Sequence, residues 1–257
     1  MNHGLCDLSV VPLRKEPDDS SEMVSQLLFG EHFEIIQSKR QWKKIRIAFD
    51  QYEGWIDEKQ FSPILLEDFN RLNKTASYVT TELIELVRYN DRLIPILAGS
   101  SLPFYNGQSF RIGSLSIPFD GKTKNCDHPV PGKKLAENAC IYLNAPYLWG
   151  GRSPFGIDCS GFTQMVFKIS GYRLKRDAWQ QAEQGISVGL ITEARTGDLA
   201  FFENPDGKIV HTGIILSPDE IIHASGKVRI DKVDQQGIFN VTRKRYTHNL
   251  RLIRRIL

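Results

Sequence analysis

The sequence predicts an α+β protein in which small β-barrels precede a domain of helices packed on an antiparallel sheet. Three observations carry that expectation. Short apolar strands at tight spacing fill residues 1–64. A helical apolar pattern opens at the single cysteine of "SPFGIDCSGF", Ser153 to Phe162. Strand patterns then dominate the chain to its end, which is an α+β order of elements. With 257 residues, 41% apolar and 25% charged, the chain has an ordinary globular composition and room for two or three small domains.

The first strands lie in "VSQLLFGEHFEIIQSKRQWKKIRIAFDQYEGWI", punctuated by "FGE", "SKRQ" and "FDQYEG" as turns. "WKKIRIAF" alternates as a half-buried strand does, with Trp42, Ile45 and Ile47 apolar. Short strands so closely spaced suggest a small barrel over 1–64. "LLEDFNRLNK" (65–74) reads as a connector. Residues 75–128 are again β-rich, although "ELIELVRY" fits a helix as well as a strand.

The texture changes at about residue 131. In "PGKKLAENACIYLNAPY", Leu135, Ala139 and Tyr142 or Leu143 recur at helical spacing, and Pro146 closes the pattern. Cys140 is expected to be buried there. "YLWGG" and "SPFG" are loop, and "DCSGFTQMVFKISG" is the second helix, with Phe162, Val166 and Ile169 as its stripe and Gly171 as its stop. "GDLAFFE", "KIVHTGIILS", "EIIHAS", "KVRID" and "LRLIRRIL" follow as strands. The basic run through Arg243, Lys244, Arg245, Arg251, Arg254 and Arg255 reads as the solvated face of the last of them.

Cys159 invites four readings: nucleophile, metal ligand, disulfide half or small buried residue. It opens a helix directly behind Asp158, where unpaired amides and the helix dipole favour an anion. That placement predicts a thiol pKa lowered from its usual ~8.5. The same amides can donate to an oxyanion. A nucleophile also needs a base. His211 stands 52 residues on, and His223 twelve after that, on consecutive predicted strands. Cys126, His128 and Cys140 are too loosely spaced for a metal site, and nothing reads CxxC.

A regular two-residue turn at Pro218–Asp219 would set Ile214 opposite His223 and put the two imidazoles on opposite faces. A joint site therefore requires an odd loop or a β-bulge in that hairpin.

"YLWGGRSPFGIDCSGF", "RTGDLAFF", "IVHTGIIL" and "IIHAS", in that order, resemble the NlpC/p60 family of cysteine peptidases over 131–257. "LRKEPDDSSEMVSQLLFGE…WKKIRIAFDQYEGWI" resembles a bacterial SH3-like domain, and "LIPILAGSSLPFYNG" a second, diverged one over 75–128. The whole layout resembles γ-D-glutamyl-L-diamino acid endopeptidases that act in murein recycling.

The resemblance implies a papain-like domain with Cys159 as nucleophile, His211 as general base and His223 as the polar group orienting it. It implies substrate contacts from Tyr147, Asp158 and Ser160. From the SH3-like domain it implies Tyr52 and a carboxylate for the substrate amine, with Glu22 favoured over Glu16 and Glu31. Where relatives carry Arg-Asp-Ser, this chain has "RDA", so a substrate hydrogen bond is expected to be either missing at Ala178 or supplied by Asp177. The implied substrate is a short murein peptide with a free N-terminal L-alanine, hydrolysed without metal or organic cofactor.

Rival readings are a cell-wall peptide-binding protein and an amidase or acyltransferase using the same set. A net charge of +3 gives little support to a nucleic-acid partner. No apolar run approaches the ~20 residues of a membrane span. "MNHGLCDLSVVPLRKEP" lacks the basic head and apolar core of a secretory signal, which suggests the cytoplasm.

Overall fold

The computed structural model describes residues 2–256. The chain divides into two compact units. The first comprises residues 1–128, 150–154 and 171–173; the second comprises 129–149, 155–170 and 174–257.

The first unit begins with seven strands: β1 (His3–Leu5), β2 (Val10–Arg14), β3 (Met23–Leu28), β4 (His32–Lys39), β5 (Trp42–Ile47), β6 (Glu53–Asp57) and β7 (Ser62–Pro63). They pair in the order β3-β2-β6-β5-β4-β1-β7. In β5 the alternation read from the sequence holds: Trp42, Ile45 and Ile47 are buried. The two isoleucines join Val11, Leu13, Leu27, Phe33 and Ile56 in an apolar core.

Helix α1 (Leu66–Leu72) leads to six short strands: β8 (Tyr78–Thr80), β9 (Ile84–Tyr89), β10 (Arg92–Leu97), β11 (Ser109–Ile112), β12 (Leu115–Pro118) and β13 (Thr123–Asn125). They form three two-stranded ladders, β9–β10, β11–β12 and β8–β13. "ELIELVRY" is strand rather than helix. Asn90 and Asp91, both at positive φ (50° and 58°), make a two-residue turn that only a hairpin needs. The ladders share one core, in which Val87, Ile96, Phe110 and Phe119 meet Leu5, Phe29 and Ile64 of the first segment. The two-residue strand β14 (Arg152–Ser153) completes this unit. There Arg152 is fully buried and its guanidinium forks onto Glu31, both Nη–Oε distances being 2.9 Å.

The second unit holds α2 (Gly132–Cys140), β15 (Gly156–Ile157), α3 (Cys159–Ile169) and α4 (Ala178–Gln181). Seven strands follow: β16 (Ile186–Val188), β17 (Leu199–Glu203), β18 (Ile209–Ser217), β19 (Glu220–Ser225), β20 (Lys227–Val233), β21 (Gly237–Asn240) and β22 (Arg245–Arg255). The sequence reading missed β16 and β21, which are short. Helix α3 is buried along all eleven residues rather than on one stripe. It packs on β18 and β19 and against α2, where Phe162 meets Tyr142 edge-on. Leu135 and Ala139 anchor α2 as expected, but Cys140 is exposed, not buried, since it falls on the solvent side of that short helix.

The expected placement of the barrel is overturned. The ladder that closes on itself is C-terminal: β17-β18-β19-β20-β21-β22, with β22 pairing back to β17. Eleven residues let β22 pair with β21 along its first half and with β17 and β16 along its second. Among the described residues the N-terminal sheet has no such closure. Its last strand, β7, is two residues long and pairs only with β1, while β3 ends the other edge. The domain following the first sheet is therefore helices on a closed barrel, and the first sheet is open. No helix among the described residues is long and apolar enough to cross a membrane.

Candidate active site

Asp158 starts α3. Its carboxylate accepts the Gly161 amide at 2.6 Å, the N-cap that a helix start demands. Arg176, itself buried, forks onto the same carboxylate at 2.6 and 3.1 Å and donates to Ser160 Oγ at 3.0 Å. Asp158 and Ser160 are thus tied into a buried network that also orders the first turn. Gln181 extends it, donating to the Ser160 carbonyl at 3.0 Å. Neither Arg176 nor Gln181 is marked by any spacing in the sequence. "KRDAWQQ" offers only a basic–acidic pair before a glutamine run.

Cys159 is the first helical residue, with 6% of its surface exposed. The expected lowering of its thiol is reversed. Burial, and then the neighbouring Asp158 charge, push it up to about 12, against weaker help from the Thr212 and Ser160 amides. Desolvation outweighs the dipole here because almost no water reaches the sulfur. Tyr147 is half-buried, and burial followed by the charges of Cys159 and Asp158 raises its phenol to about 12.

The hairpin of β18 and β19 carries the bulge that a joint site requires. Ser217 pairs with Glu220 across the two-residue turn, but the register shifts between Ile215 and Ser217. Gly213, not Ile214, then stands opposite His223. Ile215 and Ile221 pair and enter the barrel core, so His211, Gly213 and His223 share that inner face. Gly213 supplies clearance: a Cβ there would lie 2.8 Å from His223 Cβ.

His211 Nε2 and His223 Nδ1 are 2.8 Å apart. His223 Nε2 lies 3.0 Å from Asp231 Oδ2, and Arg229 Nη2 donates to Asp231 Oδ1 at 2.8 Å. An ionised carboxylate only accepts, which assigns the protons along the chain. His223 donates from Nε2 to Asp231 and accepts at Nδ1 from His211 Nε2–H. His211 Nδ1 is then the lone-pair nitrogen. Burial pushes the Asp231 carboxyl up, but its bonds from His223 and Arg229 prevail and hold it below the usual range. His211 is held well below the ordinary imidazole range by burial, then by His223 and His248. His248, on β22, stacks over His211 with ring centroids 4.2 Å apart. Sequence reasoning missed Asp231 and His248. "KVRID" did carry a signal: Arg229 and Asp231 alternate on one strand face beside the His223 strand.

The remaining expected residues have these settings. Asp177 caps α4 in a reciprocal box with Gln180, and Ala178 is buried behind it. Tyr52 packs against the core of the first sheet. Glu22 is exposed and paired with Lys15 at 3.3 Å. Glu31 is committed to Arg152, and Glu16 is exposed. Among the described residues, no group of three or more His, Cys, Asp or Glu could hold a metal ion.

A thiol at the start of a buried helix, beside a barrel with two bonded imidazoles on its inner face, defines a papain-like α+β protein of the cysteine-hydrolase class. Residues 144–249 match the NlpC/P60 family, and residues 13–61 match the bacterial dipeptidyl-peptidase Sh3 domain, which here is the open sheet. The γ-D-glutamyl-L-lysine dipeptidyl-peptidase of Bacillus cereus is 28% identical over 231 residues, 80% of this chain and 68% of that protein. Dipeptidyl-peptidase 6 of Lysinibacillus sphaericus is 29% identical over 256 residues, 87% of this chain and 89% of that one. The crystal structure of an NlpC/P60 family protein from Bacillus cereus superposes with a TM-score of 0.82 over 99% of both chains. At 21% identity that likeness is one of fold. Residues 144–249 are thus a cysteine-peptidase region of NlpC/P60 type, and residues 13–61 an N-terminal SH3-like domain.

Proposed function

We propose that the protein hydrolyses the bond between the γ-carboxyl of D-glutamate and a diamino acid in peptidoglycan peptides, with Cys159 as nucleophile, His211 as base and His223 as its orienting partner. The observation that carries this reading is the chain from His211 through His223 to Asp231, which leaves a neutral lone-pair nitrogen on His211. Two relatives at 28–29% identity named as dipeptidyl-peptidases support it.

In this mechanism the resting pair is neutral thiol and neutral imidazole. His211 Nδ1 takes the thiol proton as sulfur attacks the γ-carbonyl, so the thiolate never has to accumulate in a buried site. Amides at the start of α3 stabilise the tetrahedral oxyanion. The charge formed on His211 is shared through His223 with Asp231. The imidazolium then protonates the departing amine and leaves a thioester on Cys159. His211 next deprotonates water for attack on that thioester, and the free thiol returns.

Tyr147, Asp158, Ser160 and Asp177 are proposed to line the glutamyl side. The SH3-like domain, through Tyr52 and a carboxylate with Glu22 favoured, is proposed to select a free N-terminal L-alanine. Residues 75–128 are read as a second, diverged SH3-like domain.

The test is incubation of the protein and Cys159→Ala with L-Ala-γ-D-Glu-meso-diaminopimelate. Release of L-Ala-D-Glu by the first and a loss on the order of 10⁴-fold in the second are expected. Equal release by both would overturn the nucleophile, and no release by either the reaction.

A further inference from the structure

The hydrogen bond to His223 pins His211 at one corner of its ring, where Nε2 donates to His223 Nδ1 at 2.8 Å. Nδ1, which takes the thiol proton in the proposed mechanism, lies across the ring from that corner. A ring held at a single atom still tilts about it, and the tilt swings Nδ1 most. Aiming the base therefore requires a second restraint, on the face of the ring.

His248 lies on that face. The two ring centroids are 4.2 Å apart and the planes differ by 23°, a stacked pair. Phe202 also touches His211, but tilted by 49°, and His223 meets it edge-on at 87°. Neither presents a parallel face.

The backbone of β22 is shaped to bring His248 there. Ile238 pairs with His248 and Phe239 with Tyr246, so Thr247 is an extra residue bulged out of the strand. His248 thus stands opposite Ile238, a residue of the barrel core, and shares its inner face. Gly237, at φ 144°, permits the close approach: a Cβ there would lie 1.9 Å from the His248 carbonyl oxygen. Thr247 Oγ1, 2.9 Å from His248 Nδ1, holds the edge of the ring.

His248 also stands at a boundary. A cavity of about 410 Å³ is lined by His223, Asp231 and His248, but not by His211. His211 is only 6% exposed although both of those histidines touch it and border that space. Burial, then His223, pushes His248 down to about 4, so the covering ring is neutral near pH 7. A neutral ring can lie on the imidazolium that forms at His211 without opposing its charge.

We infer that His248 is a positioning residue for the general base: its flat face sets the angle at which His211 presents Nδ1, and its bulk separates that imidazole from the cavity. This rests on the proposed hydrolysis with His211 as base, which it deepens by naming the residue that aims it.

The experiment uses the full chain with His248→Ala, His248→Leu and His248→Phe. Alanine removes both face and bulk, leucine keeps bulk without a flat face, and phenylalanine keeps both. Each is assayed for kcat and KM on L-Ala-γ-D-Glu-meso-diaminopimelate. The titration of His211 is followed by NMR in protein carrying ¹⁵N-labelled imidazoles, its signal assigned by its loss in His211→Gln. The titratable groups facing His211 are His223 from β19, with Asp231 behind it, and His248 from β22; Phe202 from β17 is apolar, and the Cys159 thiol lies on the Nδ1 side in the proposed mechanism.

His248→Ala is expected to lower kcat by roughly tenfold with KM nearly unchanged. Its His211 titration should move up toward the ordinary ~6.5 as water reaches the ring. His248→Leu should lower kcat while the titration stays low, and His248→Phe should recover most of the loss in kcat and keep the low titration. If His248→Ala does not fold, the leucine and phenylalanine variants still decide the matter. Leucine and phenylalanine equal in kcat, phenylalanine as damaging as alanine, or a loss confined to KM would each overturn the aiming role. An unmoved His211 titration in a folded His248→Ala would overturn the shielding. A lower urea midpoint with kcat and titration unchanged would reduce His248 to a packing residue and overturn both. Absence of turnover by the unaltered protein would instead overturn the hydrolytic reading, while the NMR titrations still decide whether His248 shields His211.

Discussion

The two seven-stranded sheets differ in what they do with their inner faces. The N-terminal sheet is open and fills its interior with Val11, Leu13, Phe33, Ile45, Ile47 and Ile56. The C-terminal sheet closes, and its interior is divided. One part is apolar, with Ala200, Phe202, Ile215, Ile221 and Val233. The other holds His211, His223 and Asp231, all buried and bonded in series. Buried polar groups survive in a barrel only when each finds a partner. Closure brings β18, β19, β20 and β22 around one mouth, so four strands supply those partners at once. An open sheet with an edge at β7 has no equivalent place.

The same contrast applies to the two buried arginine forks. Arg152–Glu31 ties β14 to the turn between β3 and β4, and Arg176–Asp158 holds the first turn of α3 beside the thiol. Similar ion-pair chemistry does architectural service in one unit and orders a candidate reaction centre in the other.

The contrast can be broken by substitution. After Cys159→Ala, Asp231→Asn should have the largest effect, lowering kcat by roughly 10²-fold with little change in KM. An asparagine can donate to His223 Nε2, which flips the tautomer and removes the lone pair from His211. A purely structural role would move the denaturation midpoint instead and leave the pH profile alone.

Ile45→Ala in the open sheet should behave oppositely. It removes a fully buried side chain and should cost about 2–4 kcal/mol of stability, read as a lower urea midpoint, with kcat on the folded protein unchanged. A drop in kcat there, rather than a change in KM alone, would show that the first sheet reaches the reacting groups and does more than select substrate.

The smallest expected effect is in the pH response. His211 must be neutral to act, and its pKa lies well below 6.5, while the thiol lies at about 12. The profile of kcat/KM should therefore be flat between pH 6.5 and 9, with its acid limb below that range. A preformed thiolate–imidazolium pair would instead give a bell inside it. Stability follows the same sign. The folded pKa values of His211 and His248, the latter about 4, are below the unfolded one. The unfolded chain thus binds protons first, and stability present above about pH 6.5 should fall as pH drops toward 4. Urea midpoints at a series of pH values check this.

The sequence by itself determined the local pieces. The alternation of Trp42, Ile45 and Ile47, the cap at Asp158 and the strands bearing His211 and His223 are all set by neighbours within a few residues. Period and capping chemistry therefore reveal them. Even the bulge at Leu216 followed from parity once both imidazoles were required on one face.

Tertiary structure alone decided the rest. Which sheet closes depends on β22 meeting β17, strands more than forty residues apart. Asp231 becomes His223's partner, and Arg176 becomes Asp158's, through contacts that no local pattern encodes. The thiol's high pKa is likewise a property of what surrounds the start of α3. A helix dipole can be read from a sequence, but the exclusion of water that outweighs it is built by the whole fold.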